Sequence, residues 1–428
     1  MLMCVRRLVA KTLLLFALLS TLTLEIGRAR AQLIEGIAGW ADATVGLSTT
    51  KWRGARVAYP TPMPRPATQV RLDSPLLPIS VHGHVRDGER LLAVLQAAEL
   101  VHELTSAAGL LTSFGDAGQG GSGGRDLYVT THPTLGAAAY LDASSNFAAL
   151  DGARAYGVID VRVPRDRLFV CTAQALFDAQ LLELDPAEAE IVRRSSAAYF
   201  STLIAGGRGC EEGTEVEDLS RDHPFADVSQ GADWWRQLSE AQDQNRGTFM
   251  HEMWQFARQR TWEGRDLRAS PDLFEAIAKA LELKRIEFAH VISELAGLRA
   301  RTGFAPVRSL VFDGLPAFLP ARELEPLSAL TTLVRMRKPQ PGFRLRVWSK
   351  GAPGARYVLA ATRLDSDDQP LAYVEAPVLK DPTVQLSVEL DGNTHAVLIT
   401  VVNLGSEIPD LDPPLVARPV SLTIDHMP

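Results

Sequence analysis

After Gly303 the apolar residues stop recurring three and four apart, and the sequence breaks into short β-rich runs divided by turns. That change confines the chain to two folded parts of different kind. The runs are 307–312, 330–336, 343–349, 357–363, 371–376, 384–390, 396–403 and 420–424. Eight strands at this spacing predict a C-terminal β-sandwich of immunoglobulin-like type over residues 303–428, with the boundary near Thr302–Pro306. No period of 20–50 residues recurs, which argues against a stacked-repeat fold.

The first 31 residues read as an address. Arg6, Arg7 and Lys11 precede an apolar run from Leu13 to Leu24, and Ala29-Arg30-Ala31 offers a small-x-small cleavage site before Gln32. A run of about 12 apolar residues makes only ~18 Å of helix, too short for a hydrocarbon core of about 30 Å. A signal peptide over 1–31 is therefore expected, with no transmembrane segment after its cleavage and a secreted, periplasmic or cell-surface location. Cleavage would remove five basic residues and one acidic residue, taking the net charge from −7 to −11. Such a chain is a poor binder of phosphate backbones, so no nucleic-acid partner is expected. Cleavage would also remove Cys4 and leave Cys171 and Cys210. In an oxidising compartment these form either one disulfide or two separate buried thiols; the bridge is the expectation, and would contribute about 3–4 kcal/mol.

Residues 32–72, with Pro60, Pro62, Pro64 and Pro66, read as an extended arm. Residues 73–302 read as a mostly helical α+β domain. Leu91, Val94, Leu95, Ala98 and Val101 mark an amphipathic helix over 90–111. A Gly-rich turn follows, then strands at 127–130 and 157–163 and helices at 172–184 and 187–204, the second with Asp185 as cap and Pro186 as first residue. Further helices span 234–262, broken near Gly247, and a last one is capped by Ser270-Pro271-Asp272.

Several motifs invite chemistry. The Gly115–Gly124 segment lacks the Lys-Ser/Thr ending of a phosphate loop and precedes a strand, so it reads as a connection. Asp116 and Asp126, like Asp365, Asp367 and Asp368, lack calcium-loop spacing. Ser122 and Ser196 have no nucleophile-elbow setting. His82 and His84 alternate along an apparent strand without a third ligand, and His102-Glu103 has Ser106 where a second His would stand. His251-Glu252-Met253-Trp254-Gln255 nearly matches H-E-x-x-H, but Gln255 is a weak zinc ligand, and Met250, Met253, Trp254 and Ala257 form a packing stripe.

The order helix, Asp/Gly-rich loop, strand, strand, helix, helix over about 74–300 resembles secreted gluzincin-like metallopeptidases of the myxobacterial type. In that family the helix after the second strand is similar to A-H-E-L-F-H-A, and the next helix carries a zinc-binding Glu. Laid on that motif, Ala173-Gln174-Ala175-Leu176-Phe177-Asp178-Ala179 keeps the Leu-Phe pair and flanking alanines. It puts Gln174 and Asp178 in place of the two His, and Ala175 in place of the catalytic Glu. Arg194-Ser195-Ser196 falls near the third ligand, with Glu190 a turn earlier. Zinc hydrolysis needs about three protein ligands and a general base, which these positions do not supply. The resemblance thus implies a degenerate member: a non-catalytic, metal-free and cofactor-free binding or scaffold protein, with a protein or peptide ligand outside the cytoplasm. The alternative is a zinc hydrolase using His251 and Glu252, with a third ligand such as His223 or His290.

Overall fold

A computed structural model describes residues 63–428, apart from 111–123, 133–135, 143–153, 187, 207–208, 211–221, 223, 258–272, 304, 306, 338–343, 352–355, 377–382, 406–416 and 428. The signal peptide, most of the arm, Asp116, Ser122, His223, Trp262 and the Ser270-Pro271-Asp272 cap lie outside the described residues.

The first half is built on a five-stranded sheet with the order β1 (Val70–Asp73), β2 (Ile79–Gly83), β3 (Arg125–Thr130), β5 (Ala155–Asp160), β4 (Ala137–Leu141). The inner strands β2, β3 and β5 run parallel, and β1 and β4 close the edges antiparallel. The parallel β2 and β3 are joined through helix α1 (Gly88–Ala108), the crossover that parallel neighbours require. The last three residues of the expected arm belong to strand β1, which ends at Asp73.

Side chains alternate across a strand. Ile79, Val81, Leu127, Val129 and Ile159 therefore share one face, where they form a core with Leu91, Val94 and Val101 of α1 and with Ala173, Ala175 and Leu176 of α2 (Leu168–Leu184). Helix α2 begins four residues before its expected start, because the single-turn helix Arg165–Arg167 feeds straight into it. The next helix, α3 (Glu190–Ala205), starts later than the Asp185-Pro186 signal implied. Asp185 instead ends α2, its N–H donating to the Leu181 carbonyl. The disulfide is present: Cys171 on α2 is bonded to Cys210 beyond α3, with the Cα atoms 4.6 Å apart.

Helices α4 (Val228–Asp243), α5 (Thr248–Ala257), α6 (Leu273–Leu283) and α7 (Phe288–Arg301) complete this half. Gly247, at φ +77°, makes the break between α4 and α5. The N–H of Leu273 at the start of α6 donates to Glu188 Oε2 at 2.9 Å, a cap from 85 residues away in sequence. Trp234, Trp235, Trp254 and Phe274 fill the helical core. That core continues without a gap into Leu327, Ala329, Val358 and Val402 of the second half.

The second half is a two-sheet sandwich. One sheet has the order β11 (Pro370–Glu375), β10 (Tyr357–Leu364), β13 (Ala396–Asn403), β8 (Ala329–Met336), β6 (Arg308–Phe312). The other has β12 (Thr383–Glu389), β9 (Arg344–Lys350), β14 (Arg418–Met427), β7 (Ala317–Leu324). Leu330, Leu359 and Ile399 from the first meet Val347, Leu386 and Leu422 from the second in one apolar core. The ninth strand, β7, had no counterpart among the expected runs; it carries Pro320 and is mostly exposed, as an edge strand tolerates.

Candidate functional site

The three motif positions of α2 have different surroundings. Ala175 has no exposed surface and packs against Gly157 of β5, where an added Cβ would come within 3.2 Å of the Ala175 Cβ and 2.6 Å of Leu127. The helix thus approaches the sheet too closely for a glutamate and its water at this position. Gln174 and Asp178, one turn apart, are both 1% exposed. Asp178 Oδ2 accepts from the Ala139 N–H of edge strand β4 at 2.7 Å, and Oδ1 accepts from Arg193 Nη1 of α3 in a buried ion pair. One carboxylate therefore ties together helix α2, helix α3 and the sheet edge.

This geometry does not fit zinc. The one good ligand among the motif positions is already neutralised by a guanidinium, and arginine is a permanent cation that repels a metal ion. Among the described residues, no group of three His, Cys, Asp or Glu side chains is placed to hold a metal ion. The neighbouring positions serve packing. Glu190 is exposed and lies 3.4 Å from Arg194, whereas Ser195 Oγ accepts from Trp235 Nε1 at 2.8 Å. An added Cβ on Gly231 of α4 would come within 2.5 Å of the Ser195 Cβ, so this turn of α3 is a helix–helix seam.

His251 and Glu252 sit half-buried on α5, whose Met250, Met253, Trp254 and Ala257 are buried in the helical core. His290 lies on α7, with Nδ1 3.0 Å from Glu375 Oε2 of the sandwich. His82 is buried on β2, and His102 and Glu103 lie on α1.

The opposite face of the sheet carries a second charged knot, most of whose members carried no motif in the sequence. His82, Asp126, Tyr128, Tyr140 and Tyr156 share that face by strand alternation. The rings of His82 and Tyr128 stack at 4.6 Å, and His82 Nε2 lies 2.8 Å from Asp126 Oδ1. Arg65 of the arm closes over them. Its Nε donates to Asp142 Oδ2 at 2.8 Å, its Nη1 pairs with Asp126, and its guanidinium carbon lies 5.4 Å from the centre of the Tyr156 ring. Burial works against the Arg65 charge, but bonds to Asp142, Tyr128 and Asp126 outweigh it and push its pKa further up. Burial raises the Tyr156 pKa, helped by Asp142, so its hydroxyl stays a donor; it donates to the carbonyls of Met63 and Pro64 at 2.9 and 3.1 Å. The Met63 N–H donates to Leu141 O on the edge of β4 at 3.2 Å. The sequence pointed to two members of this knot, His82 through its alternation with His84 and Asp126 as a carboxylate without calcium-loop spacing. In the structure Asp126 is a buried counter-ion to Arg65.

No protein-family model matches this chain, and no curated protein matches it. Among solved structures, a periplasmic inhibitor of g-type lysozyme from Aeromonas hydrophila, PliG, is 14% identical, covering 28% of this chain and 97% of that one with a TM-score of 0.19. The pre-peptidase C-terminal domain of a Bacillus anthracis collagenase is 8% identical over 28% of this chain and 94% of that one, at 0.16. The CBM22-1 and GH10 modules of Clostridium thermocellum xylanase 10B, complexed with xylohexaose, are 9% identical over 28% and 27%, at 0.17. At these scores the likenesses identify neither a family nor an activity.

Proposed function

We propose that this chain is a secreted or envelope binding protein, built on a metallopeptidase-like domain that does not hydrolyse peptides and an immunoglobulin-like sandwich. The observation that carries the reading is the Arg193–Asp178 pair. In the motif carried over from the resembling peptidases, Asp178 stands where a zinc-binding His belongs, and here it holds an arginine and a strand N–H instead. The metal's cross-linking of two helices is kept in form, and its Lewis acidity is gone. One further observation supports the reading: the buried Cys171–Cys210 disulfide suits an oxidising compartment. No described helix is long and apolar enough to cross a membrane. The outer edge of β4 is the natural place for an added strand. Asp178 already engages its Ala139 N–H and Met63 its Leu141 carbonyl, so a peptide ligand would pair there only by displacing the chain's own groups.

Incubation of the mature chain with casein, with and without added zinc, tests the catalytic half of the proposal. No cleavage is expected in either condition. Zinc-dependent cleavage that is lost in Asp178→Ala or His251→Ala would overturn it.

A further inference from the structure

A cavity of about 550 Å³ opens where helix α7 meets strand β11, lined by Arg285, Ile286, Glu287, His290, Glu375 and Ala376. Its size is in the range of small-ligand pockets. It is distant in sequence from the α2 motif and uses none of its residues.

Its charged groups are not equivalent. Arg285 and Glu287 are exposed on the rim, carry opposite charges, and form no ion pair among the described residues, so they offset each other. Glu375 is different: its side chain is only 16% exposed, and one of its oxygens is held from three sides. Oε2 accepts from Tyr373 OH at 2.5 Å and from Ser293 Oγ at 2.8 Å, and lies 3.0 Å from His290 Nδ1. Ser293 Oγ and Tyr373 OH are themselves 2.5 Å apart, and His290 Nε2 is 3.6 Å from Glu294. Oε1 accepts no hydrogen bond from any described residue. Burial, and then the bond to Glu375, raise the pKa of the Tyr373 hydroxyl, which keeps it a donor. The network thus fixes the carboxylate with one oxygen occupied and one available.

A fixed carboxylate of this kind discriminates among ligands. An anion is repelled. A guanidinium binds best through two parallel bonds to both carboxylate oxygens, and here Oε2 is taken. Calcium or magnesium needs about six oxygen ligands, which the lining does not offer. An ammonium group is a compact point charge that one oxygen can serve. We propose that this pocket binds a primary ammonium of the lysine side-chain type through Glu375 Oε1, with Tyr373 and Ser293 as positioning residues that hold the carboxylate in place. The assignment goes beyond the binding role proposed above and does not depend on whether the α2 site is catalytic.

The test is an NMR titration of the whole mature chain with Nα-acetyl-L-lysine methylamide, following the His290 ring signals. The wild-type chain should give a saturable shift, and the same probe acetylated on Nε should give none. Glu375→Gln keeps a carbonyl oxygen for Tyr373 and Ser293 and presents an amide where Oε1 stood. It should remain folded and lose affinity by about tenfold or more. Tyr373→Phe releases the carboxylate to turn, so the preference for the lysine probe over Nα-acetyl-L-arginine methylamide should fall, a ratio that a merely structural role would not move. Absence of a saturable shift in the wild type, or undiminished binding by folded Glu375→Gln, would overturn the assignment.

Discussion

The two halves of this protein bury charge in opposite ways. In the sandwich, the pairs Arg335–Asp368, Arg344–Glu389, Arg346–Asp425 and Arg363–Asp391 are all at least partly exposed, and the core between the sheets is apolar. The helix-and-sheet half puts arginine–carboxylate pairs inside: Arg125–Glu183 joins β3 to α2, Arg193–Asp178 joins α3 to α2, and Arg299 of α7 holds Asp222. A sandwich whose inner residues alternate with outer ones specifies its own register, since a slip of one residue exposes every core side chain. A helix buried on all sides, as α2 is, has no such guide. Charged cross-links at Asp178 and Glu183 give it a defined rotation and height against the sheet. Asp178 is thus a structural cross-link that holds two helices and the sheet edge together.

The sharpest way to break this comparison is Asp178→Ala, which leaves Arg193 buried without its partner. A loss of about 3–5 kcal/mol in urea unfolding is expected, and a loss within the range of a surface pair would make the two halves alike. Replacing both partners at once, Arg193→Met with Asp178→Leu, should recover most of that loss, because the desolvation of both charges disappears with the pair. Next in size is the disulfide. Cys171→Ser with Cys210→Ser should lower stability by about 2–4 kcal/mol, read by the same unfolding curve, with the loss in the helix-and-sheet half.

In the sandwich the corresponding sensitivity is to shape. Ile399→Val, in the shared core, should cost about 0.5–1.5 kcal/mol, whereas Arg344→Ala should change the thermal midpoint by an amount worth at most ~1 kcal/mol. Acid probes the helix-and-sheet half through one carboxyl. Burial raises the Asp160 pKa, but hydrogen bonds from the Arg162 side chain and from the N–H groups of Arg162 and His132 outweigh it and hold the carboxyl below the usual range. A depressed carboxyl pKa contributes stability that is present above the unfolded value of about 3.9 and lost as pH falls through the folded value. Asp160→Asn should therefore flatten the fall in stability below about pH 4, measured by unfolding across that range.

How far each region was legible follows from the same contrast. Strand β13 lies where its run of β-branched residues put it, and the alternating burial of β12 is written in Thr-Val-Gln-Leu-Ser-Val-Glu. Strand β4, Ala-Ala-Ala-Tyr-Leu, gave no signal because alanine carries neither period nor strand preference. Strand β1, Val-Arg-Leu-Asp, was hidden by the prolines before it. The Asp185-Pro186 signal misplaced the start of α3 because Asp185 serves the preceding helix. At the candidate site, the sequence pointed to Gln174, Ala175 and Asp178 but not to the partners that Asp178 holds. An arginine one turn into a helix, such as Arg193, reads as a solvated residue until the fold places a carboxylate beside it. Arg65 was hidden for the same reason, with partners 61 and 77 residues away.

The central claim is that an ion pair stands where resembling peptidases hold a metal. Elemental zinc analysis of the folded mature chain from Gln32 onward, purified without chelator, tests it most directly. The account predicts no bound zinc, and about one equivalent per chain would contradict it.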